Sequence, residues 1–123
     1  MNPFDFPLNL NPDSLANFER NLFFYRARHS VNVTTAFTLT PGKFGYLQII
    51  PDAARTSDTT TAINNGSYSG QILVLEGTND TNTATIKDNA NTKMAGDCVL
   101  GINDTLTLVW NDADWVEIAR SNN

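Results

Sequence analysis

The closing stretch DTLTLVWNDADWVEIARSNN, residues 104–123, decides how the chain folds. Thr105, Thr107 and Val109 alternate with Leu106, Leu108 and Trp110, four turn-forming residues follow, and a second run begins at Trp115. A period of two marks a strand with one face in a core, and two such runs around a short turn make a hairpin. Leu106, Leu108 and Trp110 share one face going up. Coming down, the inward set is either Trp115, Glu117 and Ala119 or Val116 and Ile118, depending on the register set by the turn Asn111–Asp114. Trp110 and Trp115 flank that turn, where each ring can bury ~150–250 Å². Two roles fit them: a staple across the hairpin ends, or an interface to a subunit or receptor, where Trp is enriched.

Upstream of the hairpin the same alternation recurs at short intervals. From Arg28 to Thr40, His29, Val31, Val33, Phe37 and Leu39 face one way and Ser30, Asn32, Thr34, Thr38 and Thr40 the other, which predicts one strand with a wet side. Pro41-Gly42 predicts a turn, with KFGYLQII (43–50) returning as the next strand. A polar excursion over 52–70 holds a candidate strand at Thr59–Ile63 and a tight turn at Asn65-Gly66. QILVLE (71–76) is apolar on both faces and predicts a central, fully covered strand. TATIKD (83–88) and CVLGI (98–102) supply two more, with NANTKMAGD (89–97) as loop. Strands at this spacing predict an all-β fold, an antiparallel β-sandwich or jelly-roll-like barrel.

Residues 1–27 read differently, as an extended N-terminal arm and one short helix ahead of a single β domain at 28–123. MNPFDFPLNLNP (1–12) sets Phe4, Phe6, Leu8 and Leu10 among polar residues and three prolines, each of which discourages helix in the residue before it. The arm is either a docking element for a sister chain or partner, or an edge strand of the domain itself. Asn11 or Asp13 can cap a helix in which Leu15, Phe18, Leu22 and Tyr25 recur at intervals of three, four and three.

Bulk properties fit a small β domain. The chain has 123 residues, enough for one real core. Only 17% of residues are charged, and the polar remainder is dominated by Thr, which suits pleated surfaces, and Asn, which suits tight turns. In residues 1–40, Arg20, Arg26 and Arg28 balance Asp5, Asp13 and Glu19, so the formal charge of −5 resides entirely in residues 41–123. An acidic body without a basic stripe argues against nucleic acid or an anionic membrane as partner. No apolar run is long enough to span a bilayer, and the first residues lack the pattern of a secretion signal. A lone cysteine, Cys98, allows no internal disulfide, which suits synthesis in a reducing cytoplasm.

Residue types also bound the chemistry. His29 is the only histidine, so a nucleophile has no evident base and zinc lacks ligands. Cys98, next to Val99 and Leu100, reads as a buried thiol rather than a nucleophile. Asp80, Asp88, Asp97, Asp104, Asp112 and Asp114 lie in expected loops with Asn and Thr oxygens nearby, as a calcium site requires, yet Asx residues also make such turns unaided. The expectation is no catalytic residue, no cofactor, no metal and no small-molecule substrate.

Residues 59–123 carry a set of landmarks: Gly70-Gln71 before an apolar strand, TIKDNAN, AGD, DTLTLVW and WVEIARSNN. This half of the chain resembles a module of tailed-bacteriophage virion proteins found in head-decoration and fibre proteins. The resemblance implies a β-rich structural domain, commonly a homotrimer, without chemistry of its own. Residues 1–50 show no fibre-like repeat, and a complete chain that opens on an apolar arm suggests a cement or decoration protein on the outer capsid surface, bound to the major capsid protein. Its expected capsid or subunit interface is Phe4, Phe6, Leu8, Phe18, Arg20, Phe23, Phe24, Arg26 and Arg28. Two rivals remain open: a tail-fibre or spike tip module binding a host receptor or glycan through Trp110, Trp115 and Tyr68, and a small glycan hydrolase using carboxylates such as Asp112 and Glu117.

Overall fold

The computed structural model describes residues 28–123. Nine strands are present: β1 (His29–Val33), β2 (Tyr46–Pro51), β3 (Arg55–Thr56), β4 (Ile72–Glu76), β5 (Ala84–Ile86), β6 (Thr92–Lys93), β7 (Cys98–Leu100), β8 (Thr105–Trp110) and β9 (Trp115–Ser121). They form a six-stranded sheet in the order β1-β2-β4-β8-β9-β6 and a three-stranded sheet in the order β3-β5-β7. The fold is all-β, with no helix among the described residues. The expected arm and helix lie outside them.

One core lies between the two layers. The large sheet contributes Leu47 and Ile49, Leu73 and Leu75, Leu106, Leu108, Trp110 and Trp115, and the small sheet contributes Ala84, Ile86, Cys98 and Leu100. In β2, β4, β5, β7 and β8 the buried residues alternate with exposed or half-buried ones, as a two-layer fold demands. Connecting segments complete the filling with Phe37, Leu39, Ala62, Ile63 and Ala90.

Strand direction departs from the uniformly antiparallel expectation. β4–β8, β8–β9 and β5–β7 are antiparallel, whereas β1–β2, β2–β4, β3–β5 and β6–β9 are parallel. The reason is the path between strands. After Val33 the chain turns at Thr35-Ala36, with Ala36 at φ 24°, and leaves the large sheet. Phe37 then forms a parallel bridge to Ser57 and Leu39 one to Ile63. Having crossed the layer, the chain re-enters the large sheet at β2 in its original direction, so Pro41-Gly42 does not close a hairpin between neighbours. The expected strand Arg28–Thr40 is thus two pieces in two places, although Phe37 and Leu39 still point inward.

Two other expectations are corrected, and the open choice of register in the closing hairpin is resolved. Thr59–Ile63 forms no strand beyond the single bridge at Ile63. β4 pairs on both edges but is covered on one face only: Leu73 and Leu75 are buried while Ile72 is 45% exposed. In the closing hairpin Trp115, not Ile118, belongs to the core, and a bulge between the Leu108–Glu117 and Thr107–Ala119 pairs leaves Ile118 as the extra residue. That extra residue ends the alternation on β9.

Candidate interaction surfaces

At one end of the body three loops converge on the tryptophan hairpin. The Trp110 and Trp115 rings are tilted by 50° with centroids 5.4 Å apart, an edge-on geometry suited to aromatic pairs. Exposures of 4% and 0% place them in the core as a staple, with no ring face turned to solvent. Trp115 Nε1 donates to the Asn64 carbonyl at 3.0 Å. Asn65-Gly66 is no hairpin turn; it runs directly over Trp110, and a Cβ on Gly66 would lie 2.6 Å from the Trp110 Cδ1.

Gln71 fastens the same loops from below. Its buried amide accepts from the Ser67 N–H at 2.6 Å and donates to the Gly42 carbonyl at 3.0 Å. Gly42 also accepts from Ser67 Oγ at 2.9 Å, and backbone bonds join Gly70 N to Trp110 O and Trp110 N to Gln71 O. Carried on this fixed frame, Tyr68 stands 58% exposed. It is the one of the three suggested stacking residues that reaches solvent. His29 and Phe44 lie at this end too, stacked at 4.5 Å and 5°.

The second surface is the outer face of the six-stranded sheet. Ile72 pairs with Val109 and Val109 with Val116; in the next row Tyr46 pairs with Val74 and Val74 with Thr107. These form an apolar patch across the middle of the sheet. A polar ladder borders it, in which Ser30 Oγ donates to Gln48 Oε1 at 3.3 Å and Gln48 Nε2 to Glu76 Oε1 at 3.0 Å. Partial burial and then a hydrogen bond to Glu76 push the Tyr46 phenol up.

Four of the six aspartates considered for calcium accept hydrogen bonds from neighbouring protein groups. Asp80 Oδ1 accepts from Ile102 N, Asp88 Oδ1 from Met94 N, Asp97 from Asp88 N and Lys87 Nζ, and Asp104 from Gly101 N and Asn123 N. No group of three or more His, Cys, Asp or Glu able to hold a metal occurs among the described residues. Glu117 accepts from Arg120 and from Ala95 N at 2.8 Å, and these donors, Arg120 foremost, hold its carboxyl below the usual range. A group so held is ionised at neutral pH and unsuited to donate a proton. Asp112, at φ 74°, sits in the exposed hairpin turn. Burial pushes the Cys98 thiol up, away from the reactive thiolate.

Of the interface residues expected from sequence, Arg28 is exposed just before β1, while Phe4, Phe6, Leu8, Phe18, Arg20, Phe23, Phe24 and Arg26 lie outside the described residues. Sequence reading missed the Gln71 knot and the patch of Tyr46, Ile72, Val74, Val109 and Val116. A lone amide heading an apolar run was the available signal for the first. For the second it was the apolar filling of both faces of 72–76.

A two-layer β body with loops hydrogen-bonded to its core defines a β-sandwich domain. Residues 30–116 match the family described as phage depolymerase C-terminal beta sandwich domain. The chain belongs to that family, and the match runs from β1 to the start of β9. No curated protein and no solved structure matches it.

Proposed function

We propose that the chain is a non-catalytic virion module of a bacteriophage tail fibre or spike, which presents its loop end to a receptor or glycan on the host surface. Family membership carries this reading, because the matched domain is the C-terminal β-sandwich named for phage depolymerases. The geometry supports it: Tyr68 is exposed on loops fixed by Gln71 and the tryptophan pair, so binding there orders little extra chain. An exposed aromatic ring on a loop that also exposes Asn64, Asn65, Ser67 and Ser69 suits a sugar ring. The acidic body disfavours nucleic acid and anionic lipid as ligands. Purified protein is expected to bind host cells or their surface polysaccharide without degrading it, and Tyr68→Ala to weaken binding about 5–10-fold. Unchanged binding by Tyr68→Ala overturns the loop-end assignment, and glycan turnover overturns the non-catalytic one.

A second reading, capsid cement, is favoured by the apolar arm. There Phe4, Phe6 and Leu8 grip the major capsid protein, Arg20, Arg26 and Arg28 meet acidic groups at the rim, and a homotrimer multiplies the contact. It requires stoichiometric binding to empty heads, lost on deletion of residues 1–12.

A further inference from the structure

Asn65 and Gly66 lie between two fastened residues and are themselves unfastened. Asn64, just before them, donates its N–H to the Leu39 carbonyl and its side-chain amide to Thr40 Oγ1, each at 2.8 Å, and accepts the Trp115 indole on its carbonyl. Ser67, just after them, donates its N–H to Gln71 Oε1 and its hydroxyl to the Gly42 carbonyl. Asn65 is exposed and belongs to no strand or turn, and among the described residues nothing accepts from the Gly66 N–H or bonds the Asn65 carboxamide. Other asparagines are held or hindered. The carboxamide oxygens of Asn79 and Asn111 each accept from two backbone N–H groups, and Asn91 bonds Ala62 and Ile63. At Asn32, Asn82 and Asn103 the next residue carries a β-carbon that crowds its own nitrogen, whereas Asn-Gly occurs once in the chain.

We propose that Asn65 is a site of spontaneous deamidation, and that the product displaces the loop over the tryptophan pair. The Gly66 nitrogen, on losing its proton to base, attacks Cγ of Asn65. A new N–C bond closes a five-membered imide, the bond from Cγ to the side-chain nitrogen breaks, and that nitrogen leaves as ammonia with the proton returned. Water then opens the imide at either carbonyl, giving aspartate or isoaspartate at position 65 without oxidant, metal or enzyme. Isoaspartate routes the main chain through its own β-carbon and so adds one atom between Asn64 and Ser67, whose bonds fix both ends of the segment. Gly66 is packed so closely that a Cβ on it would lie 2.6 Å from the Trp110 Cδ1. The added length therefore shifts Gly66 on Trp110 or breaks the bond from Ser67 N–H to Gln71, and a new carboxylate joins the loop that carries Tyr68. The chemistry does not depend on what the loop end binds.

Full-length protein kept in mildly alkaline buffer, folded or unfolded by urea, tests this when its proteolytic peptides are read by mass spectrometry for aspartate and isoaspartate. Freeing a hydrogen-bonded carboxamide slows the tied asparagines, so folded Asn65 is expected to convert at least about tenfold faster than Asn79 or Asn111. Its folded rate is expected to stay within about tenfold of its unfolded rate and to rise with pH, since the attacking nitrogen must lose its proton. Asn65→Gln, whose longer side chain closes the ring slowly, is expected to remove the product and keep the fold. Purified isoaspartate-bearing chains are expected to show altered Trp fluorescence and faster amide exchange at Ser67. Conversion no faster than at Asn79 and Asn111, or slowed by folding more than about tenfold, overturns the site. Isoaspartate-bearing chains with unchanged fluorescence and unchanged Ser67 exchange overturn the displacement of the loop.

Discussion

The indole N–H of Trp115, on the last strand, donates to the carbonyl of Asn64, 51 residues earlier, at 3.0 Å. This bond ties the closing hairpin to the loop that carries Tyr68, so hairpin stability and loop geometry are coupled. Trp115→Phe keeps most of the packing and removes the donor, and is expected to cost about 1–3 kcal/mol in urea unfolding. Trp115→Ala, which also opens a cavity, is expected to cost about 3–5 kcal/mol. If both variants unfold at the wild-type midpoint, the hairpin is not the fastening it is taken to be.

Gly66 is required for clearance and not for backbone freedom. A Cβ there would sit 2.6 Å from Cδ1 and 2.7 Å from Cβ of Trp110, closer still to its Cγ. Gly66→Ala is therefore expected to destabilise by about 1–3 kcal/mol and to change Trp fluorescence, since the ring must move. Gly42→Ala makes a useful contrast: it meets nothing within 4 Å but has φ +57°, so it carries backbone strain alone and should leave the Trp signal as it was.

Gln71 satisfies the Ser67 N–H and the Gly42 carbonyl from inside the core. Gln71→Leu fits the volume but strips Ser67 of its acceptor, which is expected to cost about 1–3 kcal/mol. Amide exchange at Ser67 should accelerate by more than the global loss of stability explains, because the loop opens locally. Equal acceleration across the whole domain would contradict a local knot.

Glu117 sets part of the acid limit of the fold. Hydrogen bonds from Arg120 and then Ala95 lower its folded pKa beneath the unfolded value, so the folded state binds fewer protons and the stabilisation is complete only above the unfolded pKa of about 4.3. It is lost as pH falls through the folded value. Asp97, held low by Lys87 and Asp88 N, and Asp58, held low by Thr61 N and Thr60 N, act in the same direction but are more open to solvent. Melting temperature is expected to fall on acidification below about pH 4, and Glu117→Gln to flatten that fall while lowering stability at pH 7. An unaltered pH profile in Glu117→Gln would remove Glu117 from the account.

How far the sequence disclosed the fold follows from what alternation encodes. A period of two reports which side chains face a core, so Leu106, Leu108 and Trp110, and even Phe37 and Leu39 beyond their break, were legible as inward residues. It carries no information about strand direction or layer, which is why the turn at Ala36 and the parallel pairing of β1 with β2 were not. Asn and Asp signalled turns correctly: Asn89, Asn91, Asn103 and Asp112 all adopt positive φ. What they fasten was not readable, because Asn91 Oδ1 meets the Ala62 N–H 29 residues away. Val74 and Ile72 made β4 look doubly buried, when one of its faces belongs to an exposed patch. Of the candidate sites, Tyr68 was visible as a residue type, whereas the Gln71 and Trp115 bonds that fix its loop arise only from the tertiary fold.

Electron cryomicroscopy of the parent bacteriophage, with gold-labelled antibody against residues 28–123, tests the central proposal most directly. Label at the tail fibres or spikes, with the loop end of the density directed away from the particle, is the result expected. Label distributed over the head lattice, or absent from the particle, would contradict it.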